Sequence, residues 1–135
     1  MVLRIVSSST GIVSGIDRLR HLKMFWAQTK RKEFSMISRI WHGTTPAAKS
    51  DEYLNLMRTA AIPDYRSTPR NKGAYALRRI EGDTAHFLML TFWESEEAIR
   101  AFAGDDISVA KYYDFDKDFL IEMEPCSTHY EMYDR

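Results

Sequence analysis

The chain has a single cysteine, Cys126, so no internal disulfide can form and nothing asks for an oxidising compartment. A cytoplasmic location is the expectation. No run of about 18 apolar residues occurs, which excludes a membrane-spanning helix. The N-terminal stretch also lacks the continuous apolar segment that a secretory signal needs. No G-x-G-x-x-G or P-loop pattern is present, so no nucleotide cofactor is indicated, and no G-x-S-x-G elbow marks a serine nucleophile. Net charge is lacking too, since 19 basic side chains balance 19 acidic ones.

That balance conceals an asymmetry. Residues 1–35 carry seven basic residues against two acidic ones, whereas from Met36 onward twelve basic residues face seventeen acidic ones. A folded part with a net charge of −5 is a poor partner for nucleic-acid phosphates. Residues 1–35 mix Ser7, Ser8 and Ser9 with Gly11, Gly15 and scattered Arg and Lys, with no sustained period. They read as a disordered extension ahead of a domain spanning residues 36–135, with a targeting or docking segment, suggested by their basic, Ser-rich character, as the less favoured alternative. A chain of 135 residues builds one hydrophobic core and leaves no room for a separate cofactor domain.

From Met36 the elements alternate. Ile37 to His42 is β-prone, with Gly43 expected to end it. Thr45-Pro46 offers a helix cap followed by proline at the first helical position. Tyr53, Leu56, Met57, Ala60 and Ala61 form one apolar stripe of a helix, which Ile62-Pro63 is expected to stop. Two strand-like runs follow, Gly73 to Ile80 and Thr84 to Trp93, joined by Glu81-Gly82-Asp83 as a hairpin. Ser95 caps a second helix with Glu96 and Glu97 in its first turn, Ala98, Ile99, Phe102 and Ala103 on its buried side, and Gly104 closing it. Asp106 is expected to cap a short helix holding Val109 and Ala110. Phe115, Phe119, Leu120 and Met123 suggest a further helical turn before Pro125. Thr128 to Tyr133 alternates as a last strand. The order β-α-β-β-α-β predicts an α+β, ferredoxin-like split βαβ fold with an antiparallel four-stranded sheet.

His42, His86 and His129 fall on three strands, none with a second ligand nearby in sequence, so no metal site is expected. Cys126 sits near Glu122 and Glu124, which disfavour a thiolate, and reads as an inert thiol. His129 opens the last strand beside Tyr130 and is a candidate general base. Trp41, Trp93, Phe102, Tyr112 and Tyr113 would surround the space between sheet and helices. They serve either as ordinary core or as the walls of a pocket for a flat aromatic molecule.

Four stretches carry a family resemblance: M-I-S-R-I-W at 36–41, F-W-E-S-E-E-A at 92–98, A-F-A-G-D-D at 101–106 and H-Y-E at 129–131. Over about residues 36–134 the chain resembles the antibiotic biosynthesis monooxygenase family. That resemblance implies ferredoxin-like monomers whose sheets pair into a homodimeric α+β barrel. Several members oxidise aromatic substrates with dioxygen and no prosthetic group, others degrade haem, and many have no known activity. The haem-degrading members use an Asn, a Trp and a His at positions held here by His42, Phe102 and Tyr112, so haem degradation is not expected.

Two functions follow. The first is a cofactor-independent monooxygenase acting on a small aromatic or polyketide-like molecule, with His129 or His42 as base and Tyr112 as anchor. Trp41, Trp93, Phe102 and Tyr113 would bind the substrate. The second is a ligand-binding or stress-related dimer without catalysis. An RNA-recognition module shares the element order, but Lys72-Gly73-Ala74-Tyr75-Ala76-Leu77 places Ala where its first aromatic belongs, and on the wrong strand. Membrane and nucleic-acid partners are not expected.

Overall fold

The computed structural model describes residues 35–134, so the expectations about residues 1–35 lie outside it except at Ser35. Strand β1 (Met36–Pro46) leads into a helical stretch built of a 3-10 turn (Ala47–Lys49), α1 (Ser50–Leu56), a π turn (Met57–Ala61) and α2 (Ile62–Ser67). Strands β2 (Asn71–Glu81) and β3 (Thr84–Trp93) form a hairpin, α3 (Glu96–Ala103) follows, and β4 (Thr128–Met132) closes the sheet. The spatial order is β2-β3-β1-β4 and every neighbouring pair is antiparallel. This is an α+β fold with a four-stranded antiparallel sheet, compatible with the ferredoxin-like arrangement. Among the described residues no helix is long and apolar enough to cross a membrane.

Local chemistry accounts for most boundaries. Gly82 takes φ 61° in the β2–β3 turn, a conformation that costs glycine little. The Ser95 hydroxyl accepts from the Ala98 N–H at 3.2 Å, and Gly104 ends α3 at φ 100°. Along β3 burial alternates strictly. Phe87, Met89 and Trp93 are sealed under the helices, while Leu88, Leu90 and Phe92 are only half-buried on the opposite face.

Several expectations are corrected. Gly43 does not end β1, which runs on to Pro46 with Pro46 opposite Thr84. The helix begins only after Pro46, so Thr45 is a buried strand residue and not a cap. Gly43 is needed for another reason. The Trp41 indole lies across it, and an added Cβ would stand 2.3 Å from the indole Cη2. Gly43→Ala is therefore expected to cost about 1–3 kcal/mol through forced displacement of the ring. A denaturant midpoint equal to that of the unaltered chain would show that the indole leaves its seat freely.

Pro63 does not stop the helix either. The preceding π turn bonds the Ile62 N–H to the Met57 carbonyl and widens the backbone before the ring, so α2 continues to Ser67. The region after α3 holds no helix at Val109 and Ala110. Asp106 instead accepts from the Ser108 N–H and hydroxyl, and Val109 bridges to Cys126. The one regular turn there is a 3-10 segment, Asp114–Asp118, bearing Phe115 but stopping short of Phe119.

Candidate functional site

Strand parity places Ile37, Arg39 and Trp41 of β1 on the helix-facing side, opposite Trp93, Thr91 and Met89 of β3. Above them the π turn contributes Met57 and Ala61, α2 contributes Tyr65, and the segment after α3 contributes Lys111 and Tyr113. Of these, Trp41, Met89, Met57, Ala61, Tyr65, Lys111 and Tyr113 line a small cavity of about 10 Å³, room for roughly one water. π turns recur at functional positions in helices, and here one forms part of the cavity wall. Tyr65 stacks on Phe102 at 4.2 Å between ring centroids, with Trp93 5.6 Å from Phe102 on its other contact.

Two tyrosine–aspartate pairs frame the cavity. The Tyr53 hydroxyl donates to Asp116 at 2.7 Å, and the Tyr113 hydroxyl donates to Asp64 at 2.7 Å. Burial pushes both hydroxyls well above the ordinary tyrosine range, and the adjoining carboxylates add to it, so they stay protonated donors. Asp116 is itself raised by burial, against the donors from the Tyr113 N–H and Tyr53. At Asp64 burial acts upward, but Tyr113 and Lys111 outweigh it and hold the carboxyl below its usual range. Lys111 lies 3.2 Å from Asp64 and 4.0 Å above the Phe102 ring.

Arg39 is the charge that sequence reading passed over. It is 1% exposed, and its Nη2 donates to the Val109 carbonyl at 3.0 Å. Its Nε has no hydrogen-bond partner, and among the described residues it forms no ion pair. Burial lowers its pKa, with the nearby Tyr65 and Tyr113 hydroxyls acting the other way. Tyr65 in turn is pushed up to about 12 by burial, with Arg39 opposing. The signal was available: Arg39 has the same strand parity as Ile37 and Trp41, so a buried face containing them must also contain a guanidinium.

His129 pairs directly with Arg39 across β1 and β4 and is half-buried. Its Nε2 is buried without a partner. Burial lowers the His129 pKa first and the Arg39 charge lowers it further, with Glu96 opposing. The imidazole is therefore neutral at neutral pH, which is the state a general base requires.

His42 occupies the other face of the sheet, on the same side as Leu88. Its Nδ1 is 2.5 Å from a Glu124 carboxylate oxygen and its Nε2 is 3.4 Å from His86 Nδ1, while His86 Nε2 lies 3.6 Å from Glu81. A cavity of about 320 Å³ opens there, lined by His42, Leu77, Arg78, Arg79, His86 and Leu88. Among the described residues no group of three or more His, Cys, Asp or Glu side chains is placed to hold a metal ion.

The sequence candidates thus divide. Trp41 and Tyr113 line the cavity, whereas His129 and Arg39, paired across β4 and β1, are not among the residues that line it. Tyr112 stands edge-on to Trp41 and its hydroxyl donates to the Glu124 carbonyl. Trp93 and Phe102 form the sealed aromatic floor, with the Trp93 N–H spent on Thr91 at 2.8 Å. His42 is not brought to this site; Glu124, at the sheet edge, links it to Tyr112 from outside. No protein-family model matches the chain, and no curated protein matches it.

Proposed function

We propose that the chain is an antibiotic biosynthesis monooxygenase-like dimeric barrel that oxidises a small phenolic aromatic with dioxygen and no prosthetic group. The observation that carries this reading is His129: a neutral imidazole with an unpartnered, buried Nε2, paired across the sheet with the cationic Arg39. The strand order β2-β3-β1-β4 and the apolar second sheet face support the barrel.

In this chemistry His129 Nε2 takes the phenolic proton, and the buried positive charge nearby stabilises the anion. The anion passes an electron pair to dioxygen as a carbon–oxygen bond forms, and the imidazolium returns the proton to the peroxide. Loss of water, using the hydrogen on that carbon, leaves a quinone; one oxygen atom enters the product and the other leaves as water. Tyr113 and Trp41 confine the ring. An aromatic molecule enters only if the cover over the cavity moves.

The aromatic lining of the cavity serves equally a second reading, in which the protein binds such a molecule without turning it over. Oxygen uptake in the presence of EDTA, with naphthol- and anthrone-type compounds, separates the two. Uptake equal to substrate consumed supports the oxygenase. Tryptophan quenching by the same compounds, with uptake no faster than the uncatalysed rate, leaves only the binding protein.

A further inference from the structure

We infer that His42 and His86 form a two-imidazole site for a late first-row divalent metal ion, with Glu124 positioning His42 from behind. The site lies on the sheet face opposite His129 and is independent of the proposed oxidation.

Neither histidine has a second ligand close in sequence, and the sheet supplies one. His42 pairs with Leu88 and His86 with Thr44 across β1 and β3, so the two are diagonal neighbours on one face. His42 Nε2 stands 3.4 Å from His86 Nδ1. The ring centroids are 5.7 Å apart, further than the nitrogens by the radii of both rings, so these nitrogens point at one another. Tautomers decide what meets in that gap. The Glu124 carboxylate lies 2.5 Å from His42 Nδ1 and accepts its proton, which leaves a lone pair on Nε2. His86 Nε2 faces the Glu81 carboxylate at 3.6 Å, and a proton there leaves the lone pair on Nδ1. Two lone pairs then confront each other, and a shared cation satisfies both. The competing arrangement, an N–H on His86 Nδ1 donating to His42, is poorly served by a separation longer than a well-formed hydrogen bond.

The spacing suits a metal. Two imidazole nitrogens, each about 2.0–2.1 Å from a tetrahedral ion, lie about 3.3–3.4 Å apart. The rings, both partly exposed, need only tilt toward the ion without separating. A carboxylate on the far N–H of a ligating histidine orients the ring and raises its basicity. Glu124 takes that place for His42, and Glu81 lies on the matching side of His86. Both imidazoles line the cavity of about 320 Å³, so the remaining coordination positions go to water, as suits an exchangeable ion and not a closed structural site. The two arginines of that cavity are offset, Arg78 by Asp51 and Arg79 by Glu81, and Glu124 leaves the surroundings negative. Imidazole donors select Cu²⁺, Ni²⁺ and Zn²⁺ over Mg²⁺ and Ca²⁺.

Calorimetric titration of Zn²⁺ into the full chain, with Mg²⁺ as the hard-ion control, tests the site. Zn²⁺ is expected to bind saturably and Mg²⁺ not at all. His42→Gln and His86→Gln are each expected to abolish that binding, and the second serves if the first does not fold. Cys126→Ser is expected to leave it intact, which separates the imidazoles from capture by the exposed thiol. Glu124→Gln is expected to weaken it about 10- to 100-fold, the usual loss when such a supporting carboxylate is removed. Cu²⁺ bound to the same chain is expected to show two nitrogen ligands by electron paramagnetic resonance. Zn²⁺ binding that survives either histidine substitution would overturn the site, as would its loss in Cys126→Ser. No binding beyond that of Mg²⁺ would reduce the pair to a hydrogen bond between imidazoles. Unchanged affinity in Glu124→Gln would overturn the positioning role of Glu124.

Discussion

Replacing His129 by alanine is expected to lower oxygen-dependent turnover of a phenolic substrate about 10²- to 10⁴-fold, the usual contribution of a positioned base. His42→Ala is expected to retain most of it, because His42 lies on the opposite face of the sheet with its Nδ1 on Glu124 and its Nε2 toward His86. The pH profile gives an independent check. A base works only when deprotonated, so its rate falls as pH drops through its pKa. Burial and then Arg39 set the His129 value below 6.5, so the acid limb belongs below the ordinary histidine range. Arg39→Gln removes one of those causes and is expected to shift that limb upward. Stability follows the same sign. In the window below 6.5 the unfolded chain takes a proton on His129 that the folded chain resists, so stability declines as pH falls through that window. Full turnover by His129→Ala at neutral pH, with loss in His42→Ala, would move the base to the other face and sink the pocket assignment. Full turnover in both would mean that neither histidine is the base.

The parts of the fold written in local chemistry were legible from residues alone. β3 runs from Thr84 to Trp93 as alternation predicts, Ser95 caps α3, and Gly82 and Gly104 occupy the two positive-φ glycine positions among the described residues. Expectations failed where tertiary contact overrules local preference. Gly43 looks like a strand terminator, yet it is kept in the strand as the seat of the Trp41 ring. Pro63 looks like a helix terminator, yet a π turn just ahead of it makes room for the ring. The segment from Asp106 to Met123 has helical apolar spacing, but its aromatics are claimed by separate partners: Phe115 and Phe119 both pack on Tyr53, and only a 3-10 turn forms. The candidate site was legible in its aromatics and in His129. Arg39 was not, because strand parity shows that a charge is buried while its lack of a counterion appears only in three dimensions.

The chain is expected to be a homodimer joined through the face of the sheet that carries no helix among the described residues. That face holds Ile40, Leu88, Leu90 and Phe92, half-buried within one chain, beside Tyr75 at 51% and Tyr130 at 56% exposure. Strand parity puts all six on the side opposite Phe87 and Trp93, so the described residues leave them uncovered. An apolar surface of this extent is unusual on a monomer and calls for a partner, and strands that are apolar on both faces expect cover on both. A second copy of the same sheet is complementary to it by symmetry, giving an isologous interface. Burial there contributes on the order of 10 kcal/mol before association costs, at about 25 cal/mol per Å². Light scattering at micromolar concentration should give about twice 15.8 kDa. Leu88→Asp puts a carboxylate in the middle strands of that face, between His42 on β1 and Leu77 on β2. The interface would then have to bury it twice, and the mass is expected to fall to that of one chain with the circular dichroism unchanged. A dimer that survives Leu88→Asp would place the interface elsewhere. A mass near 15.8 kDa for the unaltered chain, doubling once residues 1–35 are removed, would mean that those residues and not a second copy occupy the face. A single-chain mass in both forms would end the barrel proposal, and much of the family assignment with it.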